Sequence, residues 1–154
     1  MSRNSQAGFT LLEMVCVLAL IAMMAAVLLP FVPHHTTRSR LQAYALQAAA
    51  LLKADRDAAI RRGAGVATLV DAESRQIRSG ASADMIRIPD DVRFEALLPR
   101  TCNRREALST ISFFASGMSC GGAITLTRLD VGYEVRVNWL TGRIEIASRN
   151  NAAY

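Results

Sequence analysis

Hydrophobic and polar positions divide the chain into three regimes. From residue 8 to 30 the sequence reads GFTLLEMVCVLALIAMMAAVLLP, apolar almost throughout and carrying one charge, Glu13. The 24 residues from 9 to 32 would rise about 36 Å as a helix, enough to cross a hydrocarbon core of about 30 Å with some tilt. The pattern therefore predicts a membrane-spanning helix over 9–33, with Glu13 near one end.

A helical period follows. Between Arg38 and Gly63, Leu41, Ala45, Ala48, Leu52 and Ala59 recur on one face, flanked by Tyr44 and Leu51, which predicts an amphipathic helix. Its alanine content favours helix intrinsically, and Arg61 and Arg62 suit a C-terminal dipole before a stop at Gly63. We expect residues 34–63 to continue the first helix, with His34 to Thr37 as a bend, and Asp55 to interrupt the stripe. The period then shortens to two. Val66 to Val70 is a short strand candidate, with weaker ones at Met85 to Ile88 and Val92 to Phe94. Ile111 and Phe113, Ile124 and Leu126, Tyr133 to Trp139, and Ile144 with Ile146 alternate, with turns expected at Gly121-Gly122, Asp130-Val131-Gly132 and Thr141-Gly142. An antiparallel meander needs one face covered, and the Ala/Leu stripe is the available cover. Tyr133 and Trp139 are expected in that core. The fold class is thus α+β, a long N-terminal helix packed on an antiparallel β-sheet, with residues 64–154 as one small β-rich domain.

Charge adds little to that picture. The chain of 154 residues has a formal net charge of +5, from 17 arginines and one lysine against 13 acids. The arginines are scattered, with local concentrations only at Arg61/Arg62 and Arg100/Arg104/Arg105. The pairs Asp55/Asp57 and Asp90/Asp91 read as solvated charges. His34 and His35 are adjacent and so face apart on any regular element, without further ligands in view, and we expect no metal and no cofactor. The glycine-rich stretch 117–122 lacks the lysine and Ser/Thr of a phosphate loop, and no nucleophile arrangement is visible, so no enzyme is expected.

Glu13 needs a reason, because a carboxylate within a membrane helix is disfavoured by about 3 kcal/mol at the bilayer centre. Snorkelling to the headgroups is one account. The flanks supply another. The leader MSRNSQAG is short, ends in glycine and is followed directly by the apolar run, and no A-x-A site closes that run before Pro30 and Pro33. Gly8, Phe9-Thr10-Leu11-Leu12-Glu13 and the apolar helix after them resemble the class III signal of type IV pilins and type II secretion pseudopilins, and Pro30 matches a helix-bending proline common there.

That resemblance implies a type IV pilin-like fold, cleavage of the 1–8 leader by a prepilin peptidase between Gly8 and Phe9, and N-methylation of Phe9. The new amine, with a reference pKa of about 7.7 to 8.0, would lie at the depth of a neighbour's Glu13, and pairing the two would favour docking in one axial register. The resemblance also places the N-terminus in the cytoplasm; Arg3 against Arg38 and Arg40 would not do so by the positive-inside rule. The remaining domain then lies in an oxidising periplasm, which would permit Cys102 and Cys120 to bridge, though spacing alone leaves free thiols equally open. Cys16 reads as a small apolar packing residue.

Further along, Leu52 to Gly63 is similar to the helix end of GspH-like minor pseudopilins, departing from it by an inserted or substituted acid at Ala54-Asp55-Arg56 and Asp57-Ala58. Ile111-Ser112-Phe113, Gly117, Gly121-Gly122, Ile124-Thr125-Leu126 and Val135 to Ile144 strengthen the likeness. It implies a low-abundance subunit near the tip of a periplasmic pseudopilus that exports folded proteins, anchored once in the bacterial inner membrane. Its partners would be other major and minor pseudopilins, the prepilin peptidase, the inner-membrane platform, and lipid around the N-terminal helix. A rival role is that of a type IV minor pilin binding DNA in transformation; without a dense basic patch interleaved with aromatics, nucleic acid is the disfavoured partner.

Overall fold

The computed structural model describes residues 10–28 and 35–150. Gly8, Phe9, Pro30 and His34 lie outside them. Two compact units divide at residue 34.

In the first unit, α1 (Leu11–Leu28) is a helix of 18 residues, a rise of about 27 Å. Among the described residues no helix is long and apolar enough to cross a membrane; the apolar run of the sequence goes on past Leu28, outside the described span. Thr10 starts the helix, its hydroxyl and carbonyl oxygens both accepting from the Glu13 N–H at 3.2 and 3.0 Å.

The second unit is built on α2 (Arg38–Arg62). Thr37 caps its start, accepting from the Arg40 N–H at 3.3 Å. Gly63 closes it at φ +61, a left-handed position that a side chain would oppose, while the N–H of Ala64 reaches back to Ala59. The stop at Gly63 is as the sequence predicts; the start is at Arg38, because Thr37 is extended and diverts the chain into the cap.

Among the described residues ten strands follow: β1 (Val66–Asp71), β2 (Gln76–Arg78), β3 (Met85–Arg87), β4 (Arg93–Leu97), β5 (Thr101–Cys102), β6 (Arg105–Glu106), β7 (Thr110–Phe113), β8 (Gly122–Arg128), β9 (Val131–Val137) and β10 (Ile144–Asn150). They form two four-stranded antiparallel sheets, ordered β3-β2-β1-β7 and β10-β9-β8-β4, and a two-stranded β5-β6 ribbon. A single meander was the expectation for the C-terminal strands, and of those β8-β9-β10 form one. Ile111 and Phe113 leave it: β7 pairs with β1, Thr68 opposite Ile111 and Val66 opposite Phe113, which brings both side chains onto the buried face of the other sheet. The β8–β9 turn is at Leu129 and Asp130, ahead of the position expected, with Leu129 at φ 52; Val131 and Gly132 already belong to the ladder.

Both sheets turn their apolar sides to α2. Leu41, Ala45, Ala48, Leu52 and Ala59 meet Val70, Ile77, Ile111, Phe113, Ile124, Leu126 and Val135 in one core. Each fully buried Leu, Ile or Phe contributes about 1.5 to 3 kcal/mol relative to exposure. Alanine on the helix lets the two sheets approach it closely. Trp139, expected in this core, is 63% exposed. The alternation that buries Tyr133, Val135 and Val137 ends at Asn138, whose side-chain oxygen accepts from the N–H groups of Leu140 and Thr141 and turns the chain outward.

Candidate functional site

Along the sequence the residues that could carry function fall in two groups, those of the N-terminal segment and those of the β-rich unit. Gly8 and Phe9 lie outside the described residues. Glu13 occupies the first turn of α1, where the positive end of the helix dipole favours a carboxylate. Its neighbours Leu11, Leu12, Met14 and Val15 are all exposed. The unit therefore presents one acid on an otherwise apolar cylinder, a surface suited to lipid or to other helices of the same kind. Cys16 is a free, exposed thiol on that cylinder.

In the second unit Cys102 and Cys120 form a disulfide, their Cα atoms 5.7 Å apart and 18 residues separate in sequence. It joins the β5–β6 ribbon to the loop before β8. That loop is fixed from both sides: the Ser119 N–H donates to Trp139 and the Cys120 N–H to Ser112. Arg56 reaches from α2 to the same place, donating to the carbonyls of Gly117 at 3.0 Å and Thr141 at 3.2 Å. The glycine loop is thus held to the helix end and to the turn after β9.

Two acids read as solvated charges have other roles. Asp55 has no solvent exposure. Its carboxylate accepts from the Thr68 hydroxyl at 2.6 Å, the Ser79 hydroxyl, and the N–H groups of Gly80 at 3.0 Å and Ala81 at 3.2 Å. Such a set of donors satisfies a buried carboxylate. It also explains why the acid in the apolar stripe is tolerated: Asp55 ties α2 to β1 and to the β2–β3 loop. Nearby Gly80 is required by close approach, since a Cβ there would overlap the Ala67 backbone.

Asp91 accepts from the Thr36 N–H at 2.6 Å and the Thr36 hydroxyl at 2.8 Å, and pairs with Arg128 at 3.0 Å. The two Thr36 bonds, aided by the Arg128 guanidinium, hold its carboxyl below the usual carboxylate range. Asp71 is lowered too, by the Ser74 hydroxyl and N–H in the β1–β2 turn.

Arginines are consumed in the same way. Arg75, at φ 56, donates to the carbonyls of Ile88, Pro89 and Val92 and so holds the chain between β3 and β4. Arg136 and Arg149 both pair with the buried Glu134, at 2.7 and 2.8 Å. Arg62 donates to the Ala81 carbonyl. Arg104 and Arg105 stay exposed at the tip of the β5–β6 ribbon. The arginine clusters seen in the sequence are thus placed on separate elements, α2 and the ribbon. Among the described residues no group of three or more His, Cys, Asp or Glu is placed to hold a metal ion.

Asp55 and Asp91 were missed as organising residues because their donors, Thr68, Ser79 and Thr36, carry no distinctive spacing relative to them. The one signal available was an acid within an apolar helical stripe.

Comparison with known proteins brings both units together. Residues 3–29 match the model of the prokaryotic N-terminal methylation motif. The chain is 32% identical over 143 residues to the type II secretion system protein H of Xanthomonas campestris pathovar campestris, covering 92% of this chain and 83% of that protein. Among solved structures, the minor pseudopilin EpsH from the type 2 secretion system of Vibrio cholerae superposes with a TM-score of 0.55 at 10% identity, covering 70% of this chain and 96% of that one. The type IV minor pilin FimU of Pseudomonas aeruginosa gives 0.54 at 16% identity, covering 71% and 90%. At those identities the two structures establish the fold, which is type IV pilin-like.

Proposed function

We propose the role of this protein from one premise: the chain belongs to the type II secretion system protein H family. It is a minor pseudopilin, a structural subunit at or near the tip of the periplasmic pseudopilus that drives folded proteins across the outer membrane. The observation that carries this reading is the 32% identity to a type II secretion protein H, which runs over 143 residues and so includes the β-rich unit as well as the N-terminal segment. A match confined to the methylation motif would fit any protein with such a signal.

In this reading the leader 1–8 is removed by prepilin peptidase, Phe9 becomes the methylated N-terminus, and the apolar segment 9–33 holds the subunit once in the inner membrane with residues 34–154 in the periplasm. The charge of Glu13 answers the Phe9 amine of an adjacent subunit. Assembly with other pseudopilins follows from family membership; contact with the peptidase and the inner-membrane platform follows from processing and extrusion. The protein works by docking, and we assign it no catalysis and no cofactor.

FimU likeness keeps a type IV pilus in view, and one experiment separates the two. A strain lacking this gene is scored for exoprotein release, transformation and twitching in the same cultures, and complemented with the wild-type gene. Loss of release alone, with folded enzymes retained in the periplasm, supports the pseudopilin role. Intact release with lost motility or DNA uptake overturns it. The engagement of Arg62, Arg75, Arg128, Arg136 and Arg149 in internal bonds favours the first outcome, since those cations are already committed.

A further inference from the structure

Trp139 is the chain's one tryptophan, and its side chain lies outside the core. Leu97, at the end of β4, is 78% exposed. The two share a surface. Leu97 pairs with Ala123 and Ala123 with Arg136, which places Leu97 on the outer face of the sheet, away from α2. A cavity of about 580 Å3 opens there, with Leu97, Leu98, Pro99, Cys120 and Trp139 in its wall. A single exposed leucine is ordinary on a protein surface, whereas a tryptophan and a leucine exposed in the wall of one cavity have the composition of an interface centre. Arg136 and Arg149 also reach this cavity, but Glu134 already meets their charge.

Uncommitted charge lies beside it. Arg100 follows Pro99, and Arg104 and Arg105 belong to the β5–β6 ribbon that the Cys102–Cys120 bridge fastens to the cavity wall. All three arginines are exposed, and among the described residues no acid pairs with any of them. The ribbon's own acid is turned away: Thr101 pairs with Glu106 and Cys102 with Arg105, so Arg105 shares the face of the disulfide and Glu106 takes the other. The separation is short. A Cβ on Gly121 would lie 3.2 Å from that of Trp139, and the Cα atoms of Cys102 and Cys120 are 5.7 Å apart. The ribbon tip is thus within about 20 Å of Trp139, the reach of about six extended residues.

We propose that this end of the β-rich unit binds an acidic protein segment. An apolar side chain of the segment seats in the cavity between Leu97 and Trp139, and carboxylates a few residues along it meet Arg100, Arg104 and Arg105. Charge selects this occupant. A second copy of this chain, itself basic at +5, would bring two copies of one arginine cluster into a single two-fold interface, which like-charge repulsion opposes. The phosphates of a nucleic acid would satisfy the arginines but leave the aliphatic wall of Leu97, Leu98 and Pro99 without a matching group. The site is built from side chains of one unit and does not depend on which filament the subunit joins.

The fluorescence of Trp139 reports on the site directly. The full-length protein in dodecyl maltoside micelles is titrated with two peptides of about ten residues that share a pair of leucines and differ in carrying glutamates or lysines beyond them. The glutamate peptide is expected to move the Trp139 emission to shorter wavelength and to bind at least tenfold more tightly than the lysine peptide. Its affinity should fall about tenfold as salt is raised from about 50 to about 500 mM. The triple variant Arg100→Gln/Arg104→Gln/Arg105→Gln, checked for an intact disulfide and an unchanged circular dichroism spectrum, should lose the preference between the peptides. Leu97→Ser, which leaves the arginines in place, should weaken binding of the glutamate peptide about tenfold. Equal affinity for the two peptides, no shift with either, tighter binding of an oligothymidylate than of the glutamate peptide, or a shift that follows only the concentration of this protein overturns the proposal.

Discussion

Asp55 of α2 and Thr68 of β1 meet at 2.6 Å within the core, and the carboxylate between them has no solvent exposure. Three further donors, the Ser79 hydroxyl and the N–H groups of Gly80 and Ala81, complete its shell. Removing the acceptor strands four donors in a dry site, and leaving buried polar groups unmade costs more than the bonds contribute when present. Asp55→Ala is therefore expected to lower unfolding stability by about 3 kcal/mol or more. Thr68→Val, which removes one donor, should cost about 1 kcal/mol. Urea unfolding of the two variants, followed by circular dichroism, measures both; equal effects would show that the shell does not centre on the carboxylate.

Acid should loosen a different point. The carboxyl of Asp91 is lowered first by the Thr36 N–H, then by the Thr36 hydroxyl and Arg128. A folded-state value below the unfolded one means a contribution present above about pH 3.9 and lost as the pH falls through the folded value. Thermal midpoints measured from pH 5 down to 2 should fall more steeply for the wild type than for Asp91→Asn. The amide cannot titrate and retains only part of the contact with Thr36. Parallel curves would remove Asp91 from the acid response.

The elements that the sequence made legible are those with a strong period. The stripe from Leu41 to Ala59 and the stop at Gly63 follow from local propensity and capping, and the pairing of β8, β9 and β10 follows from alternation between tight turns. Less legible was what depends on distant partners. Nothing local in Ile111 and Phe113 says that they join β1 rather than β8. β2, three residues long, and the two-residue strands of the ribbon carry too few positions to show a period. Trp139 looked like core because residue type outweighed position, whereas Asn138 had already ended the strand. The segment from Gly8 to Glu13 was legible for another reason: it lies within residues 3–29, which match the prokaryotic N-terminal methylation motif, a local pattern that depends on no distant partner.

Reducing Cys102–Cys120 should release the ribbon from the loop before β8. Closing a loop of 18 residues contributes about 3 kcal/mol in the chain-entropy model. The double variant Cys102→Ser/Cys120→Ser is expected to unfold at a correspondingly lower urea concentration. In the wild type, alkylation without reductant should label Cys16 alone, and mass spectrometry should show two further labels only after reduction. Three labels without reductant would mean that the bridge does not form.

Glycine at 142 serves a packing need that alanine cannot meet. Its φ is +63, and a Cβ there would overlap the Gly117 carbonyl oxygen that Arg56 also bonds. Gly142→Ala should therefore displace the glycine loop from α2 and cost about 2 kcal/mol, combining left-handed strain with the steric clash. Arg56→Ala probes the same junction without strain, and its smaller loss, about 1 kcal/mol, should not add fully to that of Gly142→Ala in the double variant, because the two share Gly117. Full additivity in urea unfolding would separate the two contacts.

Glu13 tests the proposed role where the fold does not reach. It sits in the first turn of α1 among exposed apolar residues, so no contact in the described structure depends on its charge, and stability of the β-rich unit should be unaffected by its loss. What should change is docking. If the carboxylate pairs with the Phe9 amine of a neighbour at the same membrane depth, then Glu13→Gln, which keeps shape and removes charge, should behave as Glu13→Ala does. Both variants should remain in the membrane fraction, be processed at Gly8, and fail to co-purify with the other pseudopilins. The deletion strain complemented with either should retain exoproteins in the periplasm. Recovery of Glu13→Gln at wild-type levels would refute charge pairing, and loss of processing would move the role of Glu13 from docking to recognition by the peptidase.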